Sequence, residues 1–126
     1  MKILLIEDVQ VERKIIRHWL ENAGNIVIEA SNGEEGLKFY RMHRPDLVIT
    51  DIVMPEKEGI ETMLDLRREF PDVKIFAISG AGLNKPGEYL DFAKRLGALR
   101  TFTKPTDKDA LRKAVLEEQQ HPEASV

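Results

Sequence analysis

Leu47-Val48-Ile49-Thr50 is an unbroken run of aliphatic and β-branched residues that stops at an acid, Asp51. A strand with one face in water alternates apolar and polar side chains, whereas a run without alternation suits a parallel strand covered on both faces. Similar segments recur at wide spacing on either side: KILLI at 2–6 and IVIEA at 26–30 before it, KIFAIS at 74–79 and TFT at 101–103 after it. Each reads as a strand.

The segments between them carry a helical period. Ile15, Ile16, Trp19, Leu20 and Ala23 form one apolar stripe, with Gly24 as a stop. Asn32 is placed to cap a second helix whose third residue is Glu35, with Gly36, Leu37 and Tyr40 turned inward. A third carries Ile60, Met63 and Leu64 and ends near Phe70 and Pro71. A fourth carries Tyr89, Phe92, Ala93 and Leu96 before Gly97. The fifth is expected to begin at Thr106, boxed with Asp109, and to bury Leu111, Ala114 and Val115.

Strand and helix thus alternate, which predicts an α/β fold with a doubly wound parallel sheet, right-handed crossovers and helices on both faces. Five strands suit the flavodoxin-like order 2-1-3-4-5. Residues 1–120 are expected to form one domain and 121–126 a loose tail.

Composition narrows the function. The 126 residues are 42% hydrophobic and 33% charged, ordinary for a folded soluble domain. Lys and Arg number 19 against 22 Asp and Glu and are scattered among them, so no broad basic field invites nucleic acid. The absence of cysteine excludes disulfides, thiolate metal sites and a cysteine nucleophile. Glu7 and Asp8 interrupt the opening apolar run before it reaches the length of a signal-peptide core, and no segment is long enough to span a membrane. The default expectation is a cytoplasmic protein.

In an open parallel sheet ligands bind beyond the carboxyl ends of the strands. Strand one runs into Glu7 and Asp8, strand three into Asp51, strand four into Ser79, and strand five into Lys104 and Pro105. In the expected order these strands are neighbours. Crowded carboxylates repel one another, and a hard divalent cation, best Mg²⁺, relieves that by taking oxygen ligands while leaving positions for a phosphate. A carboxylate can also be a nucleophile that forms an aspartyl phosphate, with an ammonium and a hydroxyl neutralising the moving oxygens. Taken singly, Asp8 reads as a helix cap, Asp51 as a loop acid, Ser79 as a turn residue and Lys104 as a solvated lysine. Their arrival at the ends of neighbouring strands favours one shared site. His18, His43 and His121 stand outside any metal-ligand spacing, and Trp19 belongs to an apolar stripe.

LLIED at the first strand end, VITDIVMPEKEG around Asp51, IFAISG at the fourth strand and TFTKP at the fifth together resemble the response-regulator receiver family, the domain shared by bacterial chemotaxis and sporulation phosphorelay regulators. The resemblance implies that Asp51 is phosphorylated. It further implies that Asp8, Asp51 and the Val53 carbonyl ligate Mg²⁺, with Glu7 reaching it through a water. Lys104 and Ser79 would contact phosphoryl oxygens, and the backbone N–H groups of Ile52, Val53 and Gly80 would complete the cradle. Pro105 would follow a cis peptide bond. The donor would be a histidine kinase or histidine phosphotransfer protein docking near the first helix, and the output an altered surface for a downstream protein. The chain would be a phosphoacceptor switch that assists its own modification, not an enzyme with a separate substrate.

Three features depart from that pattern. Thr101 stands where the family usually has an aromatic residue, and Phe102 should face the other side of its strand. The stretch from Gly80 to Gly97 is longer than usual by about three residues and contains GAGLNKPG, a loop-length feature. The acid pair is Glu7–Asp8 where two aspartates are common. Val53 and Ala81 suggest a persistent phosphoaspartate, since an apolar Val cannot orient the hydrolytic water. Three other readings compete: a pseudo-receiver that only binds proteins, a receiver cut from a longer regulator, and a phosphatase, which would need a substrate-recognition insertion.

Overall fold

The computed structural model describes residues 1–52, 58–80 and 86–120. Val53, Ala81, the stretch 81–85 of the expected loop and the expected tail 121–126 lie outside the described residues. Elements follow in the order β1 Lys2–Ile6, α1 Gln10–Asn22, β2 Ile26–Ala30, α2 Gly33–His43, β3 Leu47–Asp51, α3 Glu58–Glu69, β4 Ile75–Ser79, α4 Pro86–Arg95, β5 Arg100–Thr103 and α5 Lys108–Gln120. The strands form one parallel sheet in the order β2-β1-β3-β4-β5, as the alternation predicts.

The continuous apolar runs have the expected cause. Successive strand side chains point to opposite faces, so Ile3, Leu5, Ile49, Phe76 and Ile78 meet Ile16 and Leu20 of α1 and Leu111, Ala114 and Val115 of α5. Leu4, Ile6, Val48, Ile75 and Ala77 meet Tyr40 of α2, Met63 and Leu66 of α3 and Ala93 of α4 on the other face. Each large side chain so buried contributes about 2 kcal/mol by removal from water. Phe102 packs against Phe76, ring centroids 5.9 Å apart, on the α1/α5 face. Thr101, paired with Ala77, therefore occupies the other face, as strand alternation requires.

Helix boundaries follow local chemistry. Asn32 Oδ1 accepts the Glu35 N–H at 2.8 Å, and Glu35 Oε1 accepts from the Ser31 N–H at 2.7 Å, so the acid reaches back one residue beyond the cap. Asn32→Ala is expected to cost about 1 kcal/mol, visible as a lower urea midpoint with an unchanged slope. Helix α1 ends on Gly24, whose φ is +92°, and α4 gives way to Gly97 at +98°.

Three expectations are corrected. Helix α5 begins at Lys108, and its cap is Asp107, whose Oδ1 accepts the Ala110 N–H at 3.0 Å. Aspartate caps better than the threonine at 106 and sits one residue nearer the helix. In α3 the inward residues are Thr62, Met63 and Leu66, while Leu64 is 39% exposed. Gly59 is pressed against the Ile52 backbone, which turns the 59-62-63-66 face to the sheet. Ile15 and Phe92, assigned inward, are each nearly half exposed.

Candidate functional site

Strand register brings the carboxyl ends together. Asp51 pairs with Ile78 across β3 and β4, and Ser79 pairs with Thr103 across β4 and β5. One residue further, the Lys104 N–H donates to the Ser79 carbonyl at 2.8 Å, which seats that lysine at the same edge. Glu7 follows β1, its N–H bonded to the Ala30 carbonyl at 3.0 Å. Val9 is the N-cap of helix α1 and makes no side-chain cap bond, so Asp8 is not used for capping.

One oxygen from each of Glu7, Asp8 and Asp51 lies within 4.8 Å of the others. Lys104 Nζ donates to Asp51 Oδ2 at 2.7 Å, to Glu7 Oε1 at 3.1 Å and to Glu12 Oε2 at 2.6 Å. The side chains of Asp51 and Glu7 are only 3% and 2% exposed, against 43% for Glu12. Arg13 braces the loop: its guanidinium donates to the Glu7 carbonyl at 2.6 Å and to Glu29 at 3.0 Å. Burial works to raise the Glu29 carboxyl, but bonds from Lys14, Arg17 and Arg13 outweigh it and hold it down at about 2.

The crowding has an electrostatic signature. Burial, reinforced by hydrogen bonds and charge from Asp51 and Glu12, pushes Glu7 up to about 9 despite the attraction of Lys104. Burial alone would lower Lys104, yet its bonds to Asp51 and Glu12 carry it above the ordinary lysine value. Glu12 is held low by bonds from Glu7 and Lys104. Burial and crowding therefore favour the protonated form of Glu7. Three hard carboxylate oxygens this close make a donor set that fits Mg²⁺.

A family model described as the response regulator receiver domain matches residues 3–116. The chain belongs to the response regulator receiver family. It is 32% identical over 116 residues to the probable C4-dicarboxylate response regulator DctR of Bacillus subtilis, covering 90% of this chain and 50% of that protein. It is also 32% identical over 114 residues to the chemotaxis protein CheY of Halobacterium salinarum, covering 90% of this chain and 92% of that one. The chain thus spans half of DctR and nearly all of CheY. Among solved structures, a response regulator receiver domain protein from Clostridium thermocellum superposes with a TM-score of 0.87 at 27% identity, covering 99% of this chain and 98% of that one. Among the described residues no helix is long and apolar enough to cross a membrane.

Within this receiver the structure gathers Glu7, Asp8, Asp51 and Lys104 into one cluster. Ser79 stands at the next strand end, fully buried, and its Oγ has no hydrogen-bond partner among the described residues. A buried hydroxyl left so is costly and needs a reason. Gly80 follows, and no atom of the described residues lies within 4 Å of where its Cβ would stand. The Lys104–Pro105 peptide is cis, as the resemblance implied. The Ile52 N–H donates to the Ile78 carbonyl at 2.9 Å. Val53 lies outside the described residues.

The histidines behave as surface residues, His18 exposed beside Asn22 and His43 exposed against the Phe39 edge. Trp19 is partly buried against the α1/α5 core and also borders a groove of about 210 Å³ with Ile15, Lys104 and Pro105. The residue that sequence reading missed is Glu12. Its signal was spacing: it lies four residues after Asp8, one helical turn along α1, on a helix whose start is set by the loop carrying the acids.

Proposed function

We propose that this receiver takes a phosphoryl group onto Asp51 from a phosphohistidine donor, in a Mg²⁺-dependent reaction, and that the modification switches a protein-binding surface. The observation that carries the reading is the Lys104 ammonium 2.7 Å from Asp51 Oδ2 beside three carboxylates clustered within 4.8 Å. An Asp51 oxygen forms the new P–O bond as the donor's P–N bond breaks; the departing imidazole keeps the electron pair and takes up a proton. Lys104, already aligned on the acceptor, pairs with a phosphoryl oxygen, and the Ser79 hydroxyl gains the partner it lacks among the described residues. Asp8 and Asp51, with Glu7 through a water and the Val53 carbonyl, would hold Mg²⁺, which when bound supplies neutralisation of the phosphoryl oxygens. No atom of the described residues crowds the Cβ position of Gly80, and its backbone suits a further contact.

The donor is a histidine kinase or a histidine phosphotransfer protein. A docking place near α1 is supported by the groove between Ile15, Trp19 and Pro105 next to Lys104, where apolar surface adjoins the reacting acid. The downstream partner is a protein that reads the face made by α4, β5 and α5. The chain is an acceptor that assists a single transfer to itself and acts in the cytoplasm, with no direct nucleic-acid or membrane role.

Intact-mass measurement after incubation with a small phosphodonor and Mg²⁺ tests this. Wild type should gain one phosphoryl group, and Asp51→Asn should gain none. Wild type that stays unmodified with several donors would instead mark a protein-binding module that does not use phosphorylation.

A further inference from the structure

An ammonium has three N–H donors, and all three on Lys104 are engaged, by Glu12, Asp51 and Glu7. A phosphoryl oxygen arriving on Asp51 must take one of them. Glu7 and Asp51 are almost wholly buried, 2% and 3% exposed, so neither acid can exchange its Lys104 bond for bulk solvent. Glu12 is 43% exposed and sits on the first turn of α1, so solvent can replace the bonds its carboxylate takes from Lys104 and Glu7. It also makes the shortest of the three contacts, at 2.6 Å. Resting on the reading of Asp51 as the acceptor, we propose that Glu12 is a positioning residue that holds the Lys104 ammonium in the unmodified protein and opposes phosphoryl transfer until it lets go.

Two physical effects act in the same direction. The bond from Lys104 to Glu12 must be exchanged for one to the phosphoryl group, and the negative charge of Glu12 stands beside the place where an anion arrives. Phosphorylation should therefore be slower, and its product less persistent, than the acid cluster and Lys104 alone would allow.

Time-resolved intact-mass measurement of the full chain with acetyl phosphate at saturating Mg²⁺ tests this in wild type, Glu12→Gln and Glu12→Asp. Removing one charge at contact distance in a water-facing position should speed adduct formation about fivefold in Glu12→Gln. The adduct should also decay more slowly. Aspartate keeps the charge but is one methylene too short to reach Lys104, so Glu12→Asp should move toward the glutamine variant. The advantage of Glu12→Gln should shrink as salt rises, because the charge removed is partly exposed. A purely structural role would give no such salt dependence, and the melting temperature of each variant reports the fold separately.

Equal or slower adduct formation in Glu12→Gln overturns the proposal, with the Asp51 reading intact. A fast glutamine variant beside an aspartate variant that matches wild type also overturns it, since surface charge and not the Lys104 contact would then be at work. Absence of adduct from all three proteins, with acetyl phosphate and with other small phosphodonors, would remove the Asp51 reading and the role of Glu12 with it.

Discussion

Lys104→Met is expected to lose about 3–5 kcal/mol of stability near neutral pH in the absence of divalent cation, because it leaves a buried acid cluster uncompensated. The cluster is Asp51 and Glu7, 3% and 2% exposed, with Asp8 close by. Excess Mg²⁺ should restore most of the loss, since a cation on the same oxygens replaces the missing ammonium. Urea denaturation of both proteins with and without Mg²⁺ measures this. A variant as stable as wild type without Mg²⁺, or a Mg²⁺ increment no larger than that of wild type, would show that Lys104 does not neutralise the site. The pH dependence has a defined sign. Glu7 is raised from 4.5 to about 9, so between those values the folded state holds a proton that the unfolded state releases, and its contribution makes stability fall as pH rises. Mg²⁺ binding must expel that proton, so stabilisation by Mg²⁺ should grow through the same window. The cation-free deficit of Lys104→Met should shrink toward about pH 5, where further protons can reach the acids.

How much of this was legible in the sequence depended on which forces set each feature. The strands were legible because both sheet faces are covered, which forces long apolar runs such as Ile3 to Ile6 and Leu47 to Ile49. The clustering of Asp8, Asp51 and Lys104 followed from strand order alone, since ligand sites lie beyond the carboxyl ends. Features set by a residue's exact rotation or register were not legible. The bond from the Ile52 N–H to the Ile78 carbonyl is set by strand register and has no mark in the sequence. Leu64 and Leu66 are both apolar and in the same helix, and only the seating of Gly59 on β3 decides which faces inward. Glu12 reads as one more charge on a solvated helix face, and its role depends on a contact with a residue far along the chain.

That seating of Gly59 is itself a test of how tightly the fold holds the acceptor. A Cβ at position 59 would lie 2.3 Å from the Ile52 Cα, 2.4 Å from its carbonyl carbon and 2.6 Å from the Asp51 carbonyl oxygen. All three are main-chain atoms, so no rotamer change relieves the clash. Either α3 moves off the sheet or the end of β3 moves with Asp51 on it. Gly59→Ala should therefore cost about 3 kcal/mol, at the upper end for an overpacked site. Any displacement of Asp51 also stretches its 2.7 Å contact with Lys104, and misplacing a reacting group by about 1 Å slows transfer by about a hundredfold. Gly80 is the matched control at the same edge, with nothing among the described residues within 4 Å of an added Cβ, and Gly80→Ala should leave the melting temperature close to wild type. If Gly59→Ala melts and accepts phosphoryl groups as wild type does, α3 can slide without disturbing the strand end. The position of Asp51 would then be fixed by the sheet alone, through its pairing with β4 and the Ile52–Ile78 bond, and not by the helix that follows it.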